Sequence, residues 1–332
     1  MKAVVAQFGK VAIADIERLS LPSGHVRIRT EYSAISPGTE MSMIKNSKEQ
    51  QIVIGYSAVG IVVELGDQVT GLKVGQRVAC YGAPYVRHAE ELVVPSNLTA
   101  TVPDHVSPEE AAFAGLGAIA IHALRIADLR FGESAVVVGL GILGQIIAQI
   151  SSAAANQVLG LDLNRDRVLQ MRQHIDHVYN NQEELEKQIL VTTGGYGADS
   201  VILCAGGPGE TLINSALKWI RDKGKVVVVG DLTMNFSREL MFGKEAQVLI
   251  SRAGGPGRYD RGYEFDNKDY PMGFVRWTEG RNVAEYIRLL AEERLAIQPL
   301  ISRIVPLDNA VEAYEQYGPS STIMGTVFKY DM

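Results

Sequence analysis

Short runs of alternating apolar and polar residues mark the first third of the chain. Val26-Arg27-Ile28-Arg29 places apolar side chains on one face and charged side chains on the other, as in a half-buried strand. Residues 61–65 and 76–79 form similar runs, and turn residues such as glycine and proline separate them. Short strands at this spacing predict a partly closed β-barrel.

The pattern changes after about residue 116. From here on, strand-length runs of apolar residues alternate along the chain with helical segments. The predicted strands cover residues 135–138, 157–161, 200–204 and 225–229, and the predicted helices cover 143–155, 165–172 and 210–221. This order predicts a parallel sheet covered by helices. Beyond it we expect helices over 283–293 and 309–317 and a last strand over 325–329.

A glycine pattern lies between the first strand and the first helix of this second region. Gly139, Gly141 and Gly144 match G-x-G-x-x-G. The first glycine permits a tight turn, the second lets a pyrophosphate approach the backbone, and the third lets the helix pack on the strand. A glycine-rich structural turn is the alternative. We assign to a nucleotide site Gly139, Gly141, Ile142, Leu143, Gly144, Asp162, Arg167, Ala205 and Gly230.

The cofactor preference depends on Asp162, which ends the second predicted strand about 20 residues after the glycine pattern. A carboxylate there accepts the hydroxyls of the adenosine ribose and repels a 2′-phosphate. Arg165 and Arg167 follow closely and oppose that repulsion. The sequence therefore predicts NAD(H) as the cofactor over NADP(H).

Composition excludes several classes of function. The 332 residues suggest about two domains. With 32 Lys+Arg against 38 Asp+Glu, the net charge is -6, without the basic excess of a nucleic-acid-binding domain. Two cysteines, Cys80 and Cys204, are too few for a disulfide framework or a four-cysteine zinc site. The chain has no signal-peptide layout or membrane-length apolar run, so we expect a cytoplasmic protein without nucleic-acid or membrane partners.

The whole chain resembles the medium-chain dehydrogenase/reductase superfamily, the group of zinc alcohol and polyol dehydrogenases. The motifs that carry the resemblance are Gly55-x-x-x-x-Gly60-Ile61-Val62, Gly71-x-x-x-Gly75-x-Arg77-Val78, His88-Ala89-Glu90, Val102-Pro103-Asp104 and the glycine pattern. The resemblance implies an α/β protein with a GroES-like, β-rich catalytic domain over residues 1–115 and 290–332. It also implies a Rossmann domain with a doubly wound parallel sheet over residues 116–289, and a homodimer or homotetramer.

The zinc ligands of that family do not carry over to this chain. Zinc members have a Cys before Gly-Thr-Asp where this chain has Pro37, and a His in Gly-His-Glu where it has Tyr56. Gly115 stands near the position of the third ligand, and the structural-zinc lobe retains one cysteine, Cys80. Because zinc needs deprotonated S, N or O ligands, we predict no catalytic or structural metal.

Three motifs resemble a narrower branch of the family, found with carbohydrate and cyclitol genes. They are Ser36-Pro37-Gly38-Thr39-Glu40, His88-Ala89-Glu90 and Gly257-Arg258-Tyr259-Asp260. The first motif also resembles the chlorophyllide dehydrogenase branch. The carbohydrate branch implies a small polyol or keto substrate.

A zinc-free site needs a side chain to move the proton or another group to stabilise the oxyanion. Thr39 matches the proton-relay position of the family, and Tyr56 is a candidate general acid in place of the ligand His. Glu40 could pair with Tyr56 or with an arginine, and His88 is a titratable group. Each has a structural alternative: Tyr56 as a space filler, Glu40 as a supporting carboxylate, and His88 as a loop or strand-edge residue.

Residues 251–280 are rich in glycine, tyrosine and charge. A segment this long without predicted elements is usually functional or mobile. Aromatic rings can stack on the apolar faces of a sugar while charged groups bind its hydroxyls. Arg258, Tyr259, Arg276 and Trp277 are therefore candidate substrate contacts. The alternative is an interface loop of an oligomer.

The sequence leads to one principal hypothesis and two alternatives. The principal one is a zinc-independent, NAD(H)-dependent oxidoreductase that interconverts a secondary alcohol and a ketone on a sugar, glycoside or cyclitol. The first alternative is a quinone or enone reductase of the zinc-free type, which would prefer NADPH. The second is a non-catalytic NAD-binding protein.

Overall fold

The computed structural model describes residues 1–318 and 322–331, which divide into two compact units. Unit 1 comprises Met1–Ala118 and Gly254–Met332, and unit 2 comprises Ile119–Ala253. The second boundary differs from the predicted one, because residues 254–289 belong to unit 1. Tyr286 packs so tightly on Gly117 that a Cβ at Gly117 would overlap its ring. This contact holds the segment to unit 1.

The described residues form strands and helices in the following order. The strands are β1 (Lys2–Gln7), β2 (Lys10–Asp15), β3 (His25–Ala34), β4 (Ile52–Val53), β5 (Ser57–Leu65), β6 (Arg77–Tyr81), β7 (Glu91–Pro95), β8 (Thr99–Thr101), β9 (Ser134–Val138), β10 (Gln157–Leu161), β11 (His177–Tyr179), β12 (Ala198–Leu203), β13 (Ile220–Val228), β14 (Gln247–Ile250), β15 (Ile301–Pro306) and β16 (Gly325–Lys329). The helices are α1 (Pro37–Asn46), α2 (Pro108–Ala111), α3 (Ala114–Ala127), α4 (Ile142–Ala153), α5 (Arg165–Met171), α6 (Gln182–Thr192), α7 (Glu210–Trp219), α8 (Arg238–Gly243), α9 (Arg261–Glu264), α10 (Glu279–Ala291) and α11 (Ala310–Glu315).

Unit 1 is built on a seven-stranded sheet and a smaller three-stranded one. The larger sheet runs β15-β16-β3-β5-β6-β8, with β7 also paired to β3, and the smaller runs β2-β1-β4. Strand β3 is central because it pairs antiparallel with β5, β7 and β16. Val26 and Ile28 are buried as the alternation predicts, but Arg27 is buried too. It avoids an unpaired charge by donating to Glu64 at 2.8 Å. The predicted β-rich, GroES-like domain is confirmed.

Unit 2 is a six-stranded parallel sheet with the order β11-β10-β9-β12-β13-β14. Neighbouring strands pair in parallel throughout this sheet. The order reverses between β9 and β12, and ligands of doubly wound sheets bind at the carboxyl ends of the strands beside such a reversal. The predicted Rossmann sheet, and with it the α/β class, is confirmed.

No helix in the described part of the chain has both the length and the apolar character required to cross a membrane.

Candidate nucleotide site and active site

The turn between β9 and α4 is built from three glycines with different constraints. Gly139 has a φ of +88°, and a Cβ there would lie 2.9 Å from the backbone nitrogen of Ala205. A Cβ at Gly144 would overlap the carbonyl oxygen of Gly139. A Cβ at Gly141 would meet only a guanidinium nitrogen of Arg167, at 4.0 Å. The first and third glycines are therefore required by packing, whereas the second faces open space.

Helix α4 begins beside this open space. Gly141 is its N-cap residue, and no side chain caps the helix. The first backbone N–H groups, including those of Ile142 and Leu143, have no partner within an α-helix and can bind an anion. The turn therefore fits the pyrophosphate of a dinucleotide.

Asp162, directly after β10, hydrogen-bonds the backbone of the glycine turn in addition to its predicted role of binding the adenosine ribose. Its Oδ2 accepts the backbone N–H of Leu140 at 2.6 Å, and its Oδ1 accepts that of Asn164 at 2.8 Å. Arg167 Nη1 lies 3.5 Å from Oδ2. Asp162 thus braces the glycine turn, and the structure brings it together with Arg167 as predicted residues of one site.

Ala205 and Gly230 also lie against this turn. A Cβ at Gly230 would overlap the carbonyl oxygen of Ala205, and the backbone nitrogen of Ala205 faces Gly139. The residues assigned to the nucleotide site therefore come together at the carboxyl ends of the central strands.

A second site lies in unit 1 around Tyr56, which directly precedes β5. Its hydroxyl donates to Ser36 Oγ, and the hydroxyl of Thr39 is also within hydrogen-bonding reach. Burial, and secondarily the charge of Glu40, raise the pKa of Tyr56, while the two hydroxyl partners oppose that shift. Tyr56 is therefore a neutral phenol at physiological pH, held by hydroxyls that can stabilise its ionised form.

Glu40 is fully buried in a polar network beside Tyr56. It accepts the backbone N–H of Ser36 at 2.9 Å and a hydrogen bond from the hydroxyl of Tyr314. Its Oε2 lies 3.0 Å from His88 Nε2. The alternatives for Glu40 were a pair with Tyr56 or with an arginine, but its bonds go to His88, Tyr314 and the backbone.

His88 is fully buried and lies behind Glu40, away from solvent. Its Nδ1 is 2.6 Å from Ser33 Oγ, which in turn is 2.7 Å from the hydroxyl of Tyr330. The structure thus brings Thr39, Glu40 and Tyr56 together at the start of α1 and places His88 in the layer behind them.

The residues around Tyr56 do not fit a zinc ion. A Cβ at Gly115 would lie 2.7 Å from Tyr81 Cδ2 and 2.9 Å from Ser57, which leaves no room for a ligand side chain. Pro37 has no ligand atom. Across residues 1–318 and 322–331, no group of three or more His, Cys, Asp or Glu side chains could hold a metal.

Tyr81, at the end of β6, is a site residue that sequence reasoning missed. Its ring lies edge-on against Tyr56, with 5.8 Å between ring centroids and 77° between planes. It fills the space beside Gly115 that a third ligand would need. The available signal was an aromatic residue two positions after the strand predicted over 76–79.

Arg258 and Tyr259 form a cation–π pair in the segment predicted to contact substrate. Arg258 is 10% exposed and bonds to Glu264 and to the carbonyl oxygen of Ala83. Its guanidinium carbon lies 4.1 Å from the centroid of the Tyr259 ring, and Tyr259 is 57% exposed. Of the two side chains, that of Tyr259 is exposed to solvent and that of Arg258 is largely buried. Arg276 and Trp277 form a separate cation–π pair at 3.8 Å.

Two family models match the chain. "Alcohol dehydrogenase GroES-like domain" matches residues 22–124, and "Zinc-binding dehydrogenase" matches residues 142–265.

The chain is 28% identical to D-guloside 3-dehydrogenase of Escherichia coli K12, over 99% of this chain and 100% of that one. An E. coli CFT073 protein described as a short chain alcohol dehydrogenase, in complex with NADH, has the same fold. Its TM-score is 0.81 at 16% identity, over 99% of both chains. A Sinorhizobium meliloti 1021 protein classed with zinc-binding dehydrogenases and bound to NADP gives 0.80 at 17% identity, over 99% of this chain and 98% of that one.

Proposed function

The chain belongs to the medium-chain dehydrogenase/reductase superfamily, and we propose that it interconverts a secondary alcohol and a ketone on a sugar, glycoside or cyclitol, using NAD(H) and no zinc. That it is a dehydrogenase acting on CH–OH groups follows from its two matching domains and its full-length dehydrogenase relatives. The proposal adds the substrate class, the cofactor and the way the proton moves.

Support for a carbohydrate substrate comes from the relatives. Among them, the D-guloside 3-dehydrogenases align over the full length of both chains. A ring carbon of a glycoside that carries a hydroxyl is a secondary alcohol, and its oxidation gives the ketone that the proposal names. The exposed aromatic ring of Tyr259 offers a stacking surface for the apolar face of such a ring.

The observation that carries the proton chemistry is the phenol of Tyr56 in place of a ligand histidine. A bound nicotinamide supplies the hydride donor or acceptor. In the reductive direction, Tyr56 donates its hydroxyl proton to the carbonyl oxygen as that oxygen gains negative charge. Ser36 and Thr39 then stabilise the phenolate until it regains a proton. In oxidation, Tyr56 first releases its own proton to solvent, and the resulting phenolate then takes the proton of the alcohol, so this direction is favoured at high pH.

Support for NAD(H) comes from Asp162 beside the glycine turn. Its carboxylate lies within 3.5 Å of Arg167, so the two charges partly offset each other. The bracing bonds fix the position of the carboxylate and retain lone pairs that can accept ribose hydroxyls. A 2′-phosphate would meet the negative charge of Asp162, which favours NAD(H).

The test is an absorbance assay for NADH with chelator-treated protein, NAD and a panel of sugars, glycosides and cyclitols. We expect reduction of NAD with at least one of them, unchanged by added zinc. Tyr56→Phe should lower kcat about 10²- to 10⁴-fold with cofactor affinity unchanged. Tyr196→Phe, which alters a surface phenol that is 83% exposed, is the matched control. Activity that requires added zinc, or full activity in Tyr56→Phe, would refute the proposal.

A further inference from the structure

Two buried carboxyl groups and one guanidinium form a cluster next to Tyr259. Arg258 Nη1 is paired with Glu264, and its Nη2 donates to the carbonyl oxygen of Ala83 at 2.5 Å. Glu264 Oε1, which bonds Arg258, also accepts the backbone N–H of Tyr259 at 3.1 Å. One carboxyl group thus anchors both Arg258 and Tyr259.

The second carboxyl group belongs to Glu279, the first residue of α10. Its side chain is fully buried and lies within hydrogen-bonding reach of the Glu264 carboxyl. As a carboxylate, neither of its oxygens would meet a hydrogen-bond donor in the described ranges 1–318 and 322–331. Two buried carboxylates against one guanidinium would leave an uncompensated negative charge, which is costly.

A proton on Glu279 removes this conflict. Burial, and then the charge of Glu264, raise the pKa of Glu279 to about 9. The protonated carboxyl becomes a donor toward Glu264, whose Oε1 is already bonded and whose Oε2 can accept it. Such a pair titrates as one unit.

The other titratable groups that face Glu279 are phenols. They are Tyr81, Tyr85, Tyr263 and Tyr270, and each has a pKa raised above its ordinary value. They stay neutral while Glu279 titrates. Arg258 is the cation that faces the pair. Ionisation of Glu279 therefore changes the balance of charge on Arg258 directly.

The cluster of Arg258, Glu264 and Glu279 lies next to Tyr259, which has an unusual backbone conformation. Its φ is +67°, a left-handed backbone conformation that is costly for an aromatic residue and persists only where the surroundings impose it. The bond from its N–H to Glu264 and the contact of its ring with Arg258 are those surroundings. They hold the ring in a fixed, exposed position.

We propose that Glu264 and Glu279 share one proton at neutral pH and that this pair, acting through Arg258, positions the ring of Tyr259 as the stacking surface for the sugar substrate. The role of Tyr259 rests on the carbohydrate function proposed above. In alkaline solution the shared proton is lost, Arg258 is drawn toward two negative charges, and Tyr259 loses its fixed position. KM for the sugar then rises while kcat is retained.

The shared proton is tested on the full chain without any substrate. Glu279→Gln keeps the size of the side chain and a donor toward Glu264 but cannot ionise. Glu292→Gln, at the residue that follows α10 and caps its C-terminus, is the matched control, because that side chain is 45% exposed. The infrared band of a protonated carboxylic acid should be present at pH 7 in the wild type and in Glu292→Gln, and should be lost in Glu279→Gln. A wild type without that band overturns the proposal.

The pH dependence of stability gives a second measure of the same proton. The folded pKa of Glu279, about 9, lies above the ordinary value of 4.5. Protonated Glu279 therefore contributes stability that is fully present below about pH 4.5 and is lost as the pH rises toward 9. The wild type and Glu292→Gln should lose stability across this window, and Glu279→Gln should lose less. Equal slopes in all three proteins would contradict the proposal.

Kinetics test the positioning role. Tyr259→Leu should raise KM for the sugar up to about tenfold, with kcat retained. KM of the wild type should rise above pH 9 and stay flat in Glu279→Gln. Sugar turnover with a pH-independent wild-type KM overturns the positioning role alone. No turnover of any sugar refutes the proposed function and the role of Tyr259, and the infrared band then decides the shared proton separately.

Discussion

The glycine turn of unit 2 and the Tyr56 site of unit 1 are held by different kinds of contact. In the turn, backbone atoms of Gly139, Gly144 and Leu140 touch one another or a single carboxylate, Asp162. In the Tyr56 site, side chains bond to other side chains over long stretches of sequence. Tyr314 bonds to Glu40 across 274 positions and Tyr330 to Ser33 across 297.

This difference predicts how each site tolerates change. A backbone turn fails when an added atom cannot fit, and the damage is confined to the turn. A buried side-chain network fails when one partner is removed, because the groups that bonded to it are then buried without that hydrogen bond. Substitutions in the network should therefore cost more stability than substitutions in the turn.

The largest effect is expected for Glu40→Ala. It leaves the backbone N–H of Ser36, the ring of His88 and the hydroxyl of Tyr314 without their acceptor, and it opens a cavity. We expect a loss of about 3–5 kcal/mol in the free energy of unfolding, measured by urea denaturation. Glu40→Gln keeps the shape and one acceptor, and should cost about half as much. A loss below about 1 kcal/mol for Glu40→Ala would show that the network does not hold unit 1 together.

The two units also differ in how far sequence reasoning predicts them. The predicted strands of unit 2 match β9, β10, β12 and β13, because continuous apolar runs are a local signal of parallel sheets. Strand β11, with three residues, and β14, half-exposed at the sheet edge, carry no such signal. In unit 1 the alternation at β3 predicted the strand but not the burial of Arg27, which depends on a glutamate 37 positions away.

The same contrast applies to the sites. The glycine turn and Asp162 follow from spacing alone, since each residue acts on a neighbour in the fold of one βαβ unit. The partners of Glu40 come from α11 and from the segment before β7, and Tyr330, directly after β16, joins the same network through Ser33 and His88. No local pattern links Tyr314 or Tyr330 to the Tyr56 site, so sequence reasoning found Glu40 and His88 but not what holds them.

A smaller effect is expected for Gly144→Ala in the turn. The added Cβ would overlap the carbonyl oxygen of Gly139, so the first turn of α4 must shift. We expect a loss of about 1–3 kcal/mol in the free energy of unfolding, together with lost NAD binding in a calorimetric titration.

Gly141→Ala is the matched variant, because its Cβ faces open space. It should fold with wild-type stability and still bind NAD poorly, since the methyl group occupies the pyrophosphate site. Tight NAD binding by Gly141→Ala would place the dinucleotide elsewhere.

The smallest effect is expected for Asp162→Asn, which tests the chemistry of the turn and not its shape. The amide retains one oxygen acceptor, so one of the bonds from Leu140 and Asn164 survives, and the cost in stability should be about 1 kcal/mol. The negative charge is lost, and Arg167 no longer has a counter-ion 3.5 Å away. NAD affinity should therefore fall about tenfold while NADP affinity rises, because a 2′-phosphate now meets only the positive charge of Arg167. Asp166→Asn, which removes an exposed carboxylate in the first turn of α5, controls for a general change of charge. An unchanged ratio of NAD to NADP affinity in Asp162→Asn would mean that Asp162 only braces the turn and that another residue selects the cofactor.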